Sequence, residues 1–485
     1  MTPATAGQDP RRWGALTLIC GLQFMLLLDV TVVNVALPKI QQALGFTLSG
    51  LAWVVNGYVL MSGGLLLLGG RLADALGRRR VLMWGVGLFT VASALSGAAV
   101  TQGMLVVGRL GQGMAEALAA PASLGLIALL FTDPRERTKA LGIWGGLAAL
   151  GGTLGYVVSG LLTDLASWRW IFFINLPVAL AVLVFLPRLV KESRMVREKN
   201  ARLDVAGAVA STGGLVALVY GLLQAADHPW GSLEVVVPLA AGVGLLLLLL
   251  LVESRARHPL IPLKFFANRT RSVVNFTSLL FMAAFMAYTF MLTLFEQNVL
   301  GWSPLTSALG WLPLGFGIGA GIGMGTALTP RLGVKVVAGL GFLGAGLGLG
   351  LTTMVGPESS YLAGILPGMI VFGLFAGMTM PSATTAALHG VTTQDAGLAS
   401  GVQSTAQQVG SALGLAMLVT LAFRHAASAL ALGASPEVAA TAGFVLAFQI
   451  GAVLMGLGGL LILLLFEKVR PELRNPTAEA AEAAL

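Results

Sequence analysis

Two residues of opposite charge, Asp29 and Arg109, stand inside stretches that are otherwise almost wholly apolar. At bilayer depth an unpaired carboxylate or guanidinium costs roughly several kcal/mol, so each is a candidate for function. A pair between them would hold Asp29 ionised, and breaking it would raise the carboxylate's affinity for a proton. That is the chemistry of a group that loads a proton on one side of a membrane and discharges it on the other. A static pair that only fixes two helices is the competing reading. Gln112 and Glu116 follow Arg109 by three and seven residues, which puts all of them on one helical face. Desolvation of a midplane carboxylate favours its neutral form, which suits Glu116 to carrying a proton or to facing a cationic substrate. A protonated glutamate making one structural hydrogen bond is the alternative. Gln23 is expected at the same depth as Glu116.

Other polar residues in apolar stretches carry weaker signals. Glu296 ends one such stretch and is expected in a vestibule, within reach of headgroups or water. Gln403, Gln407, Ser411 and Gly414 form a polar and small stripe that either lines a cavity or packs a neighbouring helix. Asn34, Asn56 and Asn275 read as single amides bonding between helices. Met25, Trp53, Tyr58, Trp144, Tyr288 and Trp311 could build an adaptable greasy cavity, since Met fits irregular shapes and rings stack, although packing explains most such residues.

Several chemistries are excluded. The glycine run from Gly315 to Gly321 has no strand before it and no acidic partner after it, so it is no dinucleotide loop. No Gly-x-x-x-x-Gly-Lys-Ser/Thr occurs, so bound ATP is not indicated as the energy source, and an ion gradient is. The one cysteine, Cys20, is expected to be buried; His228, His258, His389 and His425 fall in expected loops without ligand spacing. No metal site, no cofactor and no set of nucleophile, base and orienter can be assembled, so an enzyme is not expected.

The elements that must position these residues are membrane helices. Of 485 residues 56% are hydrophobic and only 10% charged, against about a quarter charged in a soluble chain. A span needs about 20 apolar residues, and fourteen windows qualify: 14–36, 51–69, 81–99, 104–123, 139–162, 168–187, 205–223, 235–252, 272–296, 305–328, 334–355, 361–384, 398–422 and 442–466. The first has no cleavage site and reads as a retained span. With both termini placed in the cytoplasm, all but four of the 29 Lys and Arg residues fall in cytoplasmic segments. The exceptions are Lys39, Arg169 and Arg424 outside and Arg109 in the membrane. The net charge of +8 therefore anchors an inner surface and does not point to nucleic acid. The expected organisation is a cytoplasmic segment 1–13, a six-helix bundle 14–187, basic loops with inserted helices seven and eight over 188–271, a second six-helix bundle 272–466, and a cytoplasmic tail 467–485. Helices seven and eight carry almost no polar residue, which suggests a lipid-facing or partner-facing role.

After the second span comes Gly69-Gly70-Arg71-Leu72-Ala73-Asp74-Ala75-Leu76-Gly77-Arg78-Arg79-Arg80, which resembles the cytoplasmic signature of the major facilitator superfamily. In physical terms Gly70 and Gly77 would permit a tight turn, Asp74 would cap the next helix, and Arg78 and Arg79 would anchor the inner surface. Leu28-Asp29-Val30-Thr31-Val32-Val33-Asn34-Val35-Ala36-Leu37-Pro38 is similar to the pattern of the fourteen-helix drug:proton antiporters. So are the segment from Trp168 to Pro177, Gly301-Trp302-Ser303-Pro304, and Ala399-Ser400-Gly401 with Gln407 and Gly410. A weak echo of the first motif, Pro330-Arg331-Leu332-Gly333-Val334-Lys335, falls where a parallel repeat requires it.

The resemblance implies two six-helix bundles around a cavity that opens alternately to each side of the plasma membrane. It implies export of hydrophobic, amphipathic or cationic compounds such as antibiotics in exchange for protons, without a cofactor. Asp29, Arg109 and Glu116 are the expected proton-coupling residues. Gln23, Met25, Gln112, Trp144, Tyr156, Tyr288, Glu296 and Gln407 are the expected lining of the substrate cavity, and Gly70, Asp74, Gly77, Arg78 and Arg79 the conformational motif. Two departures matter: where the family carries Gly-Pro then Gly-Gly in span five, this chain has Gly155-Tyr156-Val157-Val158-Ser159-Gly160, so the proline kink is missing and Tyr156 narrows the cavity or offers a hydroxyl; and Ala75 stands where an Arg is common, so one cytoplasmic charge contact is expected to be absent. A lipid or metabolite carrier of the same fold, coupled or not, and a sensor that no longer transports are the alternative readings. The sequence leaves substrate identity, stoichiometry and oligomeric state open.

Overall fold

In lipid a backbone N–H or C=O finds no water, so a chain of this composition must bond its backbone within helices. The computed structural model describes residues 11–192, 205–255, 263–389, 391 and 396–467, and no strand occurs among them. Fourteen helical segments are long and apolar enough to cross a membrane, the number expected from the sequence. Spans one to six are Arg11–Leu44, Leu48–Leu76, Arg78–Gly97, Gln102–Leu130, Arg135–Leu165 and Trp170–Leu189. Spans seven and eight are Ala206–Asp227 and Leu233–Glu253. Spans nine to fourteen are Arg269–Val299, Pro304–Leu332, Val334–Thr352, Tyr361–Ala387, Gly397–Ala431 and Pro436–Leu465.

Most helices outrun their apolar windows, because the backbone ladder continues past the lipid core into water. Span one passes through Pro38, and span thirteen reaches Ala431 and so includes His425, which the sequence put in a loop. Side-chain caps set several starts: Thr47 accepts from the Gly50 amide at 3.0 Å, and Asp133 from the Arg135 and Glu136 amides at 3.0 Å each. Gly77 (φ 105°) and Gly333 (φ 83°) form the turns after spans two and ten, equivalent places in the two halves.

The halves repeat one packing scheme. Span one packs on span five and span nine on thirteen; span two packs on span four and span ten on twelve; spans three and six, and spans eleven and fourteen, complete each group. Small residues make the contacts close. A Cβ at Gly113 would lie 2.1 Å from the Tyr58 carbonyl oxygen, and one at Gly377 would lie 2.1 Å from that of Ile318.

Span seven lies between the halves and is not merely lipid-facing. It meets span two through the Trp53 and Tyr220 rings at 6.3 Å and the Ser49 hydroxyl donating to Asp227 at 2.7 Å. It meets span thirteen where Thr420 and Arg424 donate to the Leu222 and Ala225 carbonyls at 2.6 and 2.8 Å. Span eight packs on span seven and bares a row of leucines, Leu247, Leu248, Leu250 and Leu251.

At the end opposite Arg78–Arg80, spans five and ten close on each other: a Cβ at Gly160 would meet the Leu305 Cα at 2.9 Å. Toward the basic end they part. Residues 141–143, 145 and 146 of span five are exposed in turn, while Ala140, Trp144 and Leu147 on the remaining face are buried or half-buried. The space beside Gly142, Gly145, Gly146, Gly319 and Gly323 is open. Spans five and ten thus meet at the far end, and the glycines of both helices toward the basic end face open space, while spans two and thirteen stay in contact there through Leu67 and Gly401. The expectations for the tail after Glu467, for residues 1–10 and for much of the basic loops 188–204 and 253–271 lie outside the described residues.

Candidate functional site

Four spans of the N-terminal half converge on Asp29, which is 0% exposed. Arg109 Nη1 of span four reaches Asp29 Oδ2 at 2.5 Å. Gln112 Nε2, one turn further along, donates to Oδ1 at 2.8 Å, and Asn175 Nδ2 from span six donates to the same oxygen at 2.7 Å. Ser93 of span three accepts from Gln112 at 3.3 Å and from Asn175 at 3.2 Å, and itself donates to the Phe172 carbonyl at 2.8 Å. The guanidinium is held in turn: Nε donates to the Val54 carbonyl at 2.8 Å, Nη1 to Gln112 Oε1 at 3.0 Å, and Cζ sits 4.4 Å from the centre of the Tyr58 ring. A cation over a ring face gains from the ring quadrupole, so Tyr58 adds to the anchoring of Arg109. Both carboxylate oxygens and the Nε and Nη1 of the guanidinium are therefore hydrogen-bonded, the compensation that a charge pair buried from water requires.

Glu116 shares the span-four face with Arg109 and Gln112, as its spacing predicts, but it is only half-buried. It lies beside the hydroxyls of Tyr58 and Ser62, and its Oε2 is buried without a partner. Ser62 accepts from Gln408 Nε2 of span thirteen at 3.2 Å, so the surroundings of Glu116 are tied to the other half of the molecule.

A second cluster forms at the closed end. Glu296 is 0% exposed, which corrects its expected contact with headgroups or water: the last turn of span nine widens into a π-turn, Phe295–Val299, that carries the carboxylate inward. Ser307 and Trp311 Nε1 (3.1 Å) donate to its Oε2, while Oε1 is buried without a partner. Tyr156 of span five stacks on Trp311 with centroids 5.2 Å apart and planes 6° apart, and Tyr288 meets Trp311 edge to face at 6.0 Å. Tyr156, where the resemblance leads one to expect a proline, puts a ring between the halves. Just above, Pro38, Lys39, Gln42, Asp164, Gln297 and Trp302 are among the walls of a crevice of about 290 Å³.

The remaining expected residues stand apart. Gln112 is fully buried in the Asp29 network and lines no open space in this conformation. Met25 is buried in the hydrophobic core, Gln23 is buried with Oε1 unpartnered, and Trp144 is half-buried on the open part of span five with Nε1 unpartnered. The Gln407 carbonyl accepts from Ser411 of its own helix, and Gly410 and Gly414 pack on Leu279 and Ala283 of span nine, so much of that stripe serves packing. Asn34 and Asn275 bond the carbonyls of Val30 and Arg271 in their own helices, not a neighbour, and both side-chain atoms of buried Asn56 lack partners.

In the basic-end motif, Asp74 caps nothing: it accepts from Arg78 Nε and Nη2 at 3.1 and 3.0 Å, and span three starts without a side-chain cap. Gly70 lies inside span two, away from any turn. Arg78 Nη1 donates to the Gly125 carbonyl of span four at 2.7 Å, and Arg79 Nη1 to the Val190 carbonyl after span six at 3.0 Å. Asn175, Ser93, Ser62, Gln408 and Ser307 were not singled out by sequence. Uncharged polar residues in apolar helices carry no charge signal, and of these five only Asn175 lies in a segment similar to the antiporter pattern. Among the described residues no group of three His, Cys, Asp or Glu side chains is placed to hold a metal ion.

Known proteins resemble this arrangement and this chain. A family profile, the Major Facilitator Superfamily, matches residues 19–415. The chain is 39% identical over 465 residues to puromycin resistance protein pur8 of Streptomyces alboniger, covering 93% of this chain and 91% of that one. It is 39% identical over 422 residues to the lincomycin resistance protein of Streptomyces lincolnensis, 86% of each chain. It is 36% identical over 409 residues to the cephamycin export protein CmcT of Amycolatopsis lactamdurans, 84% of each. Among solved structures, a bacterial homolog of the human lysosomal transporter Spinster aligns with a TM-score of 0.67 at 15% identity, covering 94% of this chain and 97% of that one, which shows the shared fold. Profile, relatives and the duplicated fourteen-span architecture agree: the chain belongs to the major facilitator superfamily and is a multi-pass membrane transporter.

Proposed function

We propose that the protein exports hydrophobic or amphipathic compounds, organic cations among them, across the plasma membrane in exchange for protons, with the basic end and both termini in the cytoplasm. The observation that carries the reading is the sealed Asp29 network, built from four spans of one half around a carboxylate that one proton would neutralise. Relatives named for antibiotic resistance and export support the substrate class. The excess of Lys and Arg at one end supports the orientation, and the open space between spans five and ten at that end is then the cytoplasmic mouth.

Protonation of Asp29 removes the charge that Arg109 answers. The guanidinium would keep Val54 and Gln112 and lose its ionic partner, which alters the packing of spans one and four and biases one half against the other. Glu116, half-buried and close to the Ser62–Gln408 contact between the halves, would sense substrate or proton. The test is internal pH in proteoliposomes as lipophilic cations and neutral drugs are added. Proton movement that depends on substrate and vanishes in Asp29→Asn, with the variant still monodisperse, is the expected result. Full coupled export by that variant would overturn the role of Asp29, and substrate movement without protons would favour an uncoupled carrier.

A further inference from the structure

The mechanism above leaves Glu296 unused, although it is sealed as tightly as Asp29. The two carboxylates differ in company. Asp29 has a guanidinium; the described residues place no Lys or Arg in an ion pair with Glu296. The titratable groups facing it are the phenols of Tyr288 on its own span, Tyr156 on span five and Tyr361 on span twelve. Lys39 and Asp164 stand off in the crevice above. A carboxylate without water or cation is stable as the neutral acid. Both donors, Ser307 and Trp311, fall on Oε2, and Oε1 is buried without a partner, so Oε1 is the oxygen free to take a hydrogen.

The same indole that donates to Glu296 is the ring on which Tyr156 of the other half stacks. Gln297, the next residue, donates to the Val35 carbonyl of span one at 2.8 Å, and the Trp302 amide, from the crevice wall, donates to the Glu296 carbonyl at 3.0 Å. The carboxyl group is thus wired into contacts that close the far end. An ionised Glu296 needs water, and the crevice walled by Gln297 and Trp302 adjoins these contacts.

We propose that Glu296 is a second proton site, in the C-terminal half, which takes one proton from the crevice side and holds it while the Tyr156–Trp311 stack is shut. The proton binds at Oε1 on closure and returns to the crevice on opening, so it governs the far-end gate and adds nothing to net exchange. The proposal uses the antiport reading only for what the gate serves; the site itself does not depend on it.

The experiment uses the full chain in nanodiscs with spin labels on Gln42→Cys and Asn298→Cys, exposed residues of spans one and nine at the crevice. The distance distribution is recorded against pH beside infrared difference spectra. The expected result is a shift to longer distances as pH rises, and a carboxylic-acid band that disappears over the same range. Glu296→Gln should stay at the short distance at every pH and lack the band, while Glu296→Asp, which keeps the acid, should recover the shift. An unchanged pH response in Glu296→Gln, or an unchanged acid band, overturns the proposal. If the gate responds as expected but no variant couples substrate to protons, the antiport reading fails and the gate site stands. Coupled export with a gate indifferent to pH gives the reverse.

Discussion

Asn175 donates to Asp29 Oδ1 at 2.7 Å, joining span six to span one at the centre of the N-terminal half. It shares that oxygen with Gln112, so the carboxylate keeps one donor if the other is lost. Asn175→Ala should therefore destabilise the protein by about 1–3 kcal/mol, the cost of one buried group left unsatisfied, and leave it folded. Thermal unfolding in detergent measures the loss. Export should fall with it, because Asp29 is then held from one side only.

The Asp29–Arg109 pair should behave differently. Arg109→Ala strands a buried carboxylate and should cost about 3–5 kcal/mol. The double variant Asp29→Asn with Arg109→Gln removes both charges and should regain most of that stability without regaining proton coupling. Unfolding midpoints together with the proteoliposome pH assay separate the two roles, and a double variant with coupled export would show that the pair is only structural.

Tyr156 holds the halves together through its ring and not its hydroxyl. Tyr156→Phe should keep export within about twofold, roughly 0.4 kcal/mol. Tyr156→Ala empties a buried aromatic site, worth about 3–5 kcal/mol in a packed core, and should loosen the far end. Accessibility of a cysteine placed at Gln297 to an aqueous thiol reagent reads the difference.

Close helix contacts give the sharpest structural contrast. Gly113→Ala would bring a Cβ to 2.1 Å from the Tyr58 carbonyl oxygen and should abolish monodisperse protein, whereas Gly142→Ala has nothing within 4 Å and should express normally. Equal yields for the two would refute the packing of spans two and four described above.

Much of this was legible in the chain alone. Fourteen spans follow from the length of apolar runs, because every backbone group in lipid must bond within its own helix. The pairing of Asp29 with Arg109 was legible too, since a lone charge at that depth is untenable and the two lie at matching depths. Gly77 and its echo Gly333 announced equivalent turns, and both adopt positive φ.

What needed the tertiary structure is what depends on which helix faces which. Hydropathy treats Asn175, Ser93 and Ser307 alike, as faint polar notes; only packing decides that the first meets Asp29, the second braces the first and the third meets Glu296. The depth of Glu296 followed a widened helical turn that no residue type in the chain specifies. The apolar side chains of span seven left a lipid-facing and a partner-facing role open, and packing sets the helix between the halves, where its carbonyls accept from Thr420 and Arg424. Composition and periodicity thus determined the spans and the need for a charge pair, through the cost of burying polar groups in lipid. Which end is closed, and which ring seals it, was decided by contacts between residues more than a hundred positions apart, where sequence periodicity carries no information.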